Sequence, residues 1–167
     1  QEIIAEASLV KKRFPEVKRL IDVGGEDAKL ILFKDFKTPD IRMNGNCAGG
    51  TGAYIDQMAV LLNHSIAELN RQAWQSTKIY PIASRCGVFA KTDVQNLVSR
   101  KINPSDIAAS IFDAMAGQII NSLARGCSIE PRILFTGGPL TYISYLGEAF
   151  ARLLKIDREN IMIPERA

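Results

Sequence analysis

Three observations predict an α/β fold. A β-branched run, Val17 to Val23, ends in the paired glycines Gly24 and Gly25. A long pattern of helical spacing runs from Pro104 to Arg125. A short apolar strand, Arg132 to Phe135, runs into Thr136-Gly-Gly-Pro139 just ahead of another helix. Strands interleaved with helices define the class.

The elements follow in order. Gln1 to Leu9 reads as helix. Val17–Val23 and Ala28–Phe33 are strands, and Gly24-Gly-Glu-Asp27 between them is short enough to make a hairpin. Lys37 to Met43 supplies a third strand, which Pro39 confines to a sheet edge. Helices are predicted from about Gly50 to Leu62 and from Ser65 to Ala73, where Ser65 and Glu68 can form a capping box. Ile79 to Ala83 reads as a short strand or extended loop, and Thr92 to Ser99 as a helix. Asn103 can cap the long helix, with Pro104 in its first turn and Gly126 as its stop. Its apolar positions Ile107, Ile111, Met115, Ile119, Ile120 and Leu123 mark a core face. Tyr142 to Leu154 is a helix, and Ile161 to Pro164 a last strand. Gln1 is not an initiating methionine and the chain stops soon after that strand, so a piece of a longer protein is expected.

Composition narrows the function. The 167 residues have room for one domain or two small lobes, and 47% hydrophobic with 23% charged residues is ordinary for a globular protein. A net charge of +3 argues against a nucleic-acid partner. No uninterrupted apolar run approaches the roughly 18 residues of a membrane span, so no membrane partner is expected. Three cysteines without a signal peptide make no disulfide framework, which points to a reducing cytoplasm. His64 is the only histidine, so neither a Ser/His/Asp triad nor histidine-based zinc chemistry is expected. Trp74 and Cys127 fit no motif; packing and an incidental thiol account for them.

Four stretches carry chemistry. Asp22-Val-Gly-Gly-Glu-Asp27 sets two glycines among three acids. Backbone N–H groups at such a turn can approach phosphate oxygens, and a carboxylate at a strand end can hold Mg²⁺; a plain hairpin turn has the same sequence. Phe135-Thr-Gly-Gly-Pro139 lets a ligand pack flat on the backbone where a helix begins, or is simply a tight strand-to-helix turn. Cys47 lies in Asn44-Gly-Asn-Cys-Ala-Gly-Gly-Thr-Gly52, and Cys86 in Ser84-Arg-Cys-Gly-Val-Phe-Ala90. A thiol at a helix N-terminus ionises readily, and thiolates are what iron–sulfur clusters require. A buried structural thiol is the competing reading of Cys47.

Together these stretches resemble the ATPase activators of 2-hydroxyacyl-CoA dehydratases and the ATPase subunits of benzoyl-CoA reductase, the BadF/BadG/BcrA/BcrD type. Ile21-Asp-Val-Gly-Gly-Glu-Asp-Ala-Lys29 looks like the family's second phosphate loop. The stretches around Cys47 and Cys86 look like its two cluster-cysteine loops, and Phe135-Thr-Gly-Gly-Pro139 like its adenosine loop. The likeness covers nearly the whole chain. Glu26 stands where the family commonly has Gln, and Ala28 where it often has Ser. The family's first phosphate loop has no counterpart in these residues.

The resemblance implies an actin-like (ribonuclease H-like) lobe, a mixed sheet flanked by helices. Residues 1–167 would form one fragment, the C-terminal lobe of a module, with a cysteine-bearing helical insertion over about 44–100. It implies ATP or ADP with Mg²⁺ as cofactor, with Asp22 and Asp27 catalytic and Gly24, Gly25, Glu26, Lys29, Gly137, Gly138 and Pro139 at the nucleotide. It further implies a homodimer with one [4Fe–4S] cluster held by Cys47 and Cys86 of each copy. The parent would be an ATPase coupled to electron transfer, taking electrons from a ferredoxin or flavodoxin and passing them to an acyl-CoA dehydratase or reductase. The fragment alone would be inactive. A non-redox dimerisation module that binds nucleotide and a sugar- or acetate-kinase-like lobe are the alternatives.

Overall fold

The computed structural model describes residues 2–33, 38–44, 49–83, 86–127, 129 and 131–164, without the side chains of 2–4 and 6. In chain order they form α1 (Glu2–Arg13), β1 (Arg19–Val23), β2 (Ala28–Leu32), β3 (Asp40–Met43), α2 (Gly52–Leu62), α3 (Ile66–Ala73), α4 (Gly87–Ser99), α5 (Pro104–Ala124), β4 (Ile133–Thr136), α6 (Gly138–Tyr142), α7 (Ser144–Leu154) and, after a 3₁₀ turn, β5 (Ile161–Met162).

The described strands make one mixed sheet in the order β3-β2-β1-β4-β5. β1, β2 and β3 pair antiparallel; β4 joins β1 in parallel, and β5 joins β4 in parallel. β3 is the edge strand that Pro39 leads the sequence to predict. Side chains alternate across a sheet, so each strand serves two faces. Ile21, Val23, Leu30, Ile133 and Phe135 face a large core beneath the helices. Leu20, Ile31 and Leu134 face the other way, onto Ala7 and Val10 of α1.

α5 is the axis of the large core and packs against α2, α3, α4, α7 and β2. Asn103 Oδ1 accepts from the Ser105 amide at 3.0 Å, Pro104 takes the first turn, and Arg125 turns left-handed at φ 42° to end the helix. By length and composition α5 is long and apolar enough to cross a membrane, which the search of the sequence for apolar runs does not reveal. Here 61% of that apolar window is buried inside the protein. Fully buried Phe112, Phe135 and Phe150 anchor the packing, each contributing about 1.5–3 kcal/mol through burial.

Several boundaries differ from the sequence expectation. α1 runs on to Arg13. α4 starts at Gly87, well before Thr92, because Cys86 is extended (φ −150°, ψ 124°) and Gly87 opens the first turn despite its low helix propensity. The helix predicted over Tyr142–Leu154 is α7, which starts at Ser144; a short α6 not predicted precedes it, and the two are separated at Ile143, where φ −111° and ψ 88° leave helical space. Asn70 Oδ1 accepts from the Tyr145 amide at 3.0 Å and so satisfies a donor at the new helix start. Ile79 to Ala83 is extended and belongs to no described strand. α3 opens as expected: Ser65 Oγ accepts the Glu68 amide, and Glu68 Oε2 accepts the Ser65 amide at 2.7 Å.

Candidate functional site

Register creates the first half of the site. Asp22 stands opposite Lys29 on β2 and opposite Thr136 on β4, so three polar side chains lie abreast at the C-terminal end of β1. Asp22 Oδ1 accepts the Thr136 hydroxyl at 2.9 Å, and Asp22 Oδ2 pairs with Lys29 Nζ at 3.4 Å. Lys29 Nζ also reaches Asp27 Oδ2 at 3.3 Å. Burial pulls the Lys29 pKa down, but the charges and hydrogen bonds of Asp22 and Asp27 outweigh it and leave it above the ordinary lysine value. The ammonium therefore stays charged at neutral pH, an ion pair for both acids. Asp27 is the more open carboxylate, its side chain 41% exposed against 15% for Asp22.

Backbone contacts join this turn to α2. The Gly52 amide donates to Gly24 O at 2.9 Å, and the Ala53 amide to Gly25 O at 2.8 Å. The first N–H groups of α2, without partners inside the helix, thus find them in the hairpin turn. A Cβ on Gly52 would come within 3.1 Å of Gly25 Cα and 3.4 Å of Pro139 Cγ. So the turn, the start of α2 and the Gly137–Pro139 loop meet at one place, and Gly52 is where they touch. Gly137, at φ 96°, lies so close to β1 that a Cβ would sit 2.0 Å from the Val23 carbonyl oxygen. Gly25 and Gly138 differ: a Cβ there would meet nothing within 4 Å. Their open side is where a ligand can approach the backbone. Glu26 lies exposed on the same turn.

Cys86 belongs to the second half. It is a free, half-buried thiol at the N-cap of α4 and makes no side-chain capping bond. Just beyond it, Val88 and Phe89 are exposed at 72% and 65%. Cys47 lies outside the described residues, five positions before Gly52. Cys127 is exposed and accepts a hydrogen bond from Arg42 Nη2 at 3.0 Å. Among the described residues no group of three or more His, Cys, Asp or Glu is placed to hold a metal.

Thr136, the neighbour that fixes Asp22, was legible only as part of the Phe135-Thr-Gly-Gly motif. Nothing local in the sequence announces that Asp93, Asp106 and Ser110 hold the connector leading to Cys86 (Ala83 N to Asp93 Oδ2, 2.8 Å; Thr77 N to Asp106 Oδ1, 2.8 Å; Tyr80 N to Ser110 Oγ, 2.8 Å).

A sheet carrying its glycine turns at the strand ends, flanked by helices, defines an actin-like ATPase lobe. The family model for the BadF/BadG/BcrA/BcrD ATPases matches residues 9–157, and the chain belongs to that family. It is 35% identical over 125 residues to the (R)-2-hydroxyglutaryl-CoA dehydratase activating ATPase of Acidaminococcus fermentans, covering 75% of this chain and 48% of that protein. It is 31% identical to the activator of lactoyl-CoA dehydratase of Anaerotignum propionicum, covering 93% and 60%. Among solved structures, component A of the A. fermentans (R)-2-hydroxyglutaryl-CoA dehydratase superposes with a TM-score of 0.82 at 30% identity, over 93% of this chain and 58% of its own. The activator of the 2-hydroxyisocaproyl-CoA dehydratase from Clostridium difficile, solved with bound ADPNP, gives 0.82 at 29% identity over 94% and 57%. The chain spans about half the length of the curated relatives it matches.

Proposed function

We propose that this chain is the C-terminal lobe of an ATP-dependent activator that passes electrons to a 2-hydroxyacyl-CoA dehydratase or a related reductase, with a [4Fe–4S] cluster shared between two copies. The observation that carries the reading is the meeting of three loops at Gly52. The same residues that would receive phosphate, Gly24 and Gly25, hydrogen-bond the start of the helix that follows the Cys47 loop.

The nucleotide would lie against the open sides of Gly25 and Gly138, with Pro139 beside them. Mg²⁺ takes hard oxygen ligands, commonly one or two carboxylates besides the phosphates, and Asp27 is the carboxylate with room to serve. Asp22, held between Thr136 and Lys29, would fix the strand end beside the phosphates. Lys29 balances the two acids, and Glu26 extends the acidic rim. One lobe supplies one wall of such a cleft, so the lobe alone is expected to bind nucleotide weakly and to lack ATPase activity.

The thiol set fits a shared cluster. One chain offers Cys47 and Cys86, half of a four-thiolate set. When bound, such a cluster supplies one-electron transfer at low potential. The exposed Val88 and Phe89 beside Cys86 provide apolar surface of the kind a second copy covers, and the cysteine-bearing segment would be the insertion over about 44–100. An electron donor of the ferredoxin or flavodoxin type and a reducing cytoplasm complete the proposal.

The test is anaerobic reconstitution with iron and sulfide. About four irons per dimer are expected for one [4Fe–4S] cluster held by two copies. Cys47→Ser and Cys86→Ser are each expected to abolish the cluster, and Cys127→Ser to leave it. Equal loss in all three variants would overturn the assignment.

A further inference from the structure

The connector between α3 and α4 has no strand to pair with among the described residues, yet four of its amides find side-chain acceptors on α5 and α4. Thr77 and Lys78 both donate to Asp106 Oδ1, at 2.8 and 3.0 Å. Tyr80 donates to Ser110 Oγ at 2.8 Å, and Ser110 in turn donates to Asp106 O at 2.6 Å, which leaves its lone pairs toward Tyr80. Ala83 donates to Asp93 Oδ2 at 2.8 Å. Asp106 and Ser110 sit one turn apart on α5 and are buried, at 5% and 1% exposure. Asp93 lies on α4. The strap is thus fastened to α5 along its first half and handed to α4 at its end, three residues before Cys86.

Asp93 has no local reason to be where it is. It stands about two turns inside α4, where aspartate is a poor helix former and too far from the N-terminus to gain much from the helix dipole. Its bond returns to the chain entering its own helix. Behind it, from α2, comes Tyr54, 3% exposed, whose hydroxyl has no hydrogen-bond partner among the described residues. Burial raises the Tyr54 pKa, and the charge of Asp93 raises it further, so the phenol stays protonated beside the carboxylate. α2 and α4, the helices that follow the candidate ligands Cys47 and Cys86, pack against each other, with Tyr54 and Asp93 near enough to interact.

We propose that Asp93 is the positioning residue for Cys86: by holding the Ala83 amide it fixes the direction in which the chain enters α4, and so where the thiol stands. The proposal rests on the cluster reading above. Outer residues that orient a metal ligand typically change metal affinity by about 10–100-fold when removed. The geometry asks for an acceptor at Asp93 and not for its charge.

The experiment uses the whole chain, reconstituted anaerobically with iron and sulfide and then challenged with a chelator. Asp93→Leu keeps the size and loses the acceptor; it is expected to lose iron about tenfold faster or more than wild type. Asp93→Asn keeps an acceptor and is expected to behave within about twofold of wild type. Asp113→Leu, which breaks an ion pair with Arg152 between α5 and α7, tests general destabilisation and is expected to leave iron retention unchanged. Hydrogen exchange on the metal-free Leu variant is expected to show lost protection at Ala83 and retained protection at Thr77 and Lys78. Should leucine prevent folding, Asp93→Glu replaces it: the charge stays, the acceptor moves, and iron retention is expected to fall below that of Asp93→Asn. A Leu variant that retains iron like wild type while Cys86→Ser loses it overturns the positioning role alone. So does an Asn variant that fails as badly as Leu or worse than Glu, or an Asp113→Leu variant that loses iron equally. Retention of iron by Cys86→Ser overturns the cluster reading itself, and the positioning role with it.

Discussion

The two halves of the site are built from different bonds. Around Gly52 the contacts are backbone on backbone: hairpin carbonyls receive helix amides, and glycines let three loops approach within van der Waals distance. Along the strap to Cys86 the contacts are side chain on backbone: Asp106, Ser110 and Asp93 hold amides that no described strand pairs. The first construction makes the missing Cβ atoms indispensable. The second makes individual acceptors indispensable and leaves the strap's own side chains comparatively free.

Substitutions can break that contrast in order of size. Gly137→Ala is expected to cost the most, about 3 kcal/mol or more in urea unfolding, because its Cβ would collide with the Val23 carbonyl at a left-handed φ. Gly138→Ala, with open space at its Cβ, is expected to stay within about 0.5 kcal/mol of wild type while weakening nucleotide affinity, measured by calorimetry. If both glycines cost the same, the division between fold glycines and ligand glycines is wrong. Asp106→Ala comes next, at about 2–4 kcal/mol, since it strands two amides at a buried carboxylate. Substituting Thr77, which lends only its amide to that bond, is expected to change stability by no more than about 0.5 kcal/mol.

Tyr54→Phe removes a buried hydroxyl without a partner among the described residues, so it is expected to be neutral or to stabilise by up to about 1 kcal/mol. A loss larger than that would show that the phenol has a bond that matters. The smallest effect concerns pH. The Glu68 carboxyl is held below its ordinary value, first by the Ser65 backbone N–H and then by the Ser65 hydroxyl. A depressed carboxylate contributes stability above its unfolded pKa, near 4.3, which is lost as pH falls through the folded value. Wild type is therefore expected to lose a small stability increment below about pH 4 that Glu68→Gln does not lose, read by unfolding at matched pH.

How far the sequence reached follows the same division. The strands, α2, α3, α5 and both glycine turns were legible because periodicity, caps and Gly-Gly pairs are local signals. The near-whole agreement at Ser65–Glu68 and Asn103–Pro104 has that origin. The start of α4 and the break at Ile143 were not legible. One depends on Cys86 being held extended, the other on Asn70 reaching across from α3 to the Tyr145 amide. Nothing in the sequence singles out Asp93 and Asp106, since their partners lie far along the chain or back across a helix. The site itself was legible as separate motifs, and only the register of β1 with β2 and β4 brings Asp22, Lys29 and Thr136 together.

On the proposed reading, this chain holds half of a cluster site and a second copy holds the other half. Native mass spectrometry of the anaerobically reconstituted chain weighs the cluster-bearing species directly. All cluster mass is expected to travel with a dimer of two 18.4 kDa chains, about four irons and four sulfides together, and iron removal is expected to release monomer. A [4Fe–4S] mass on a single chain, or a dimer that carries no cluster under any reconstitution, contradicts it.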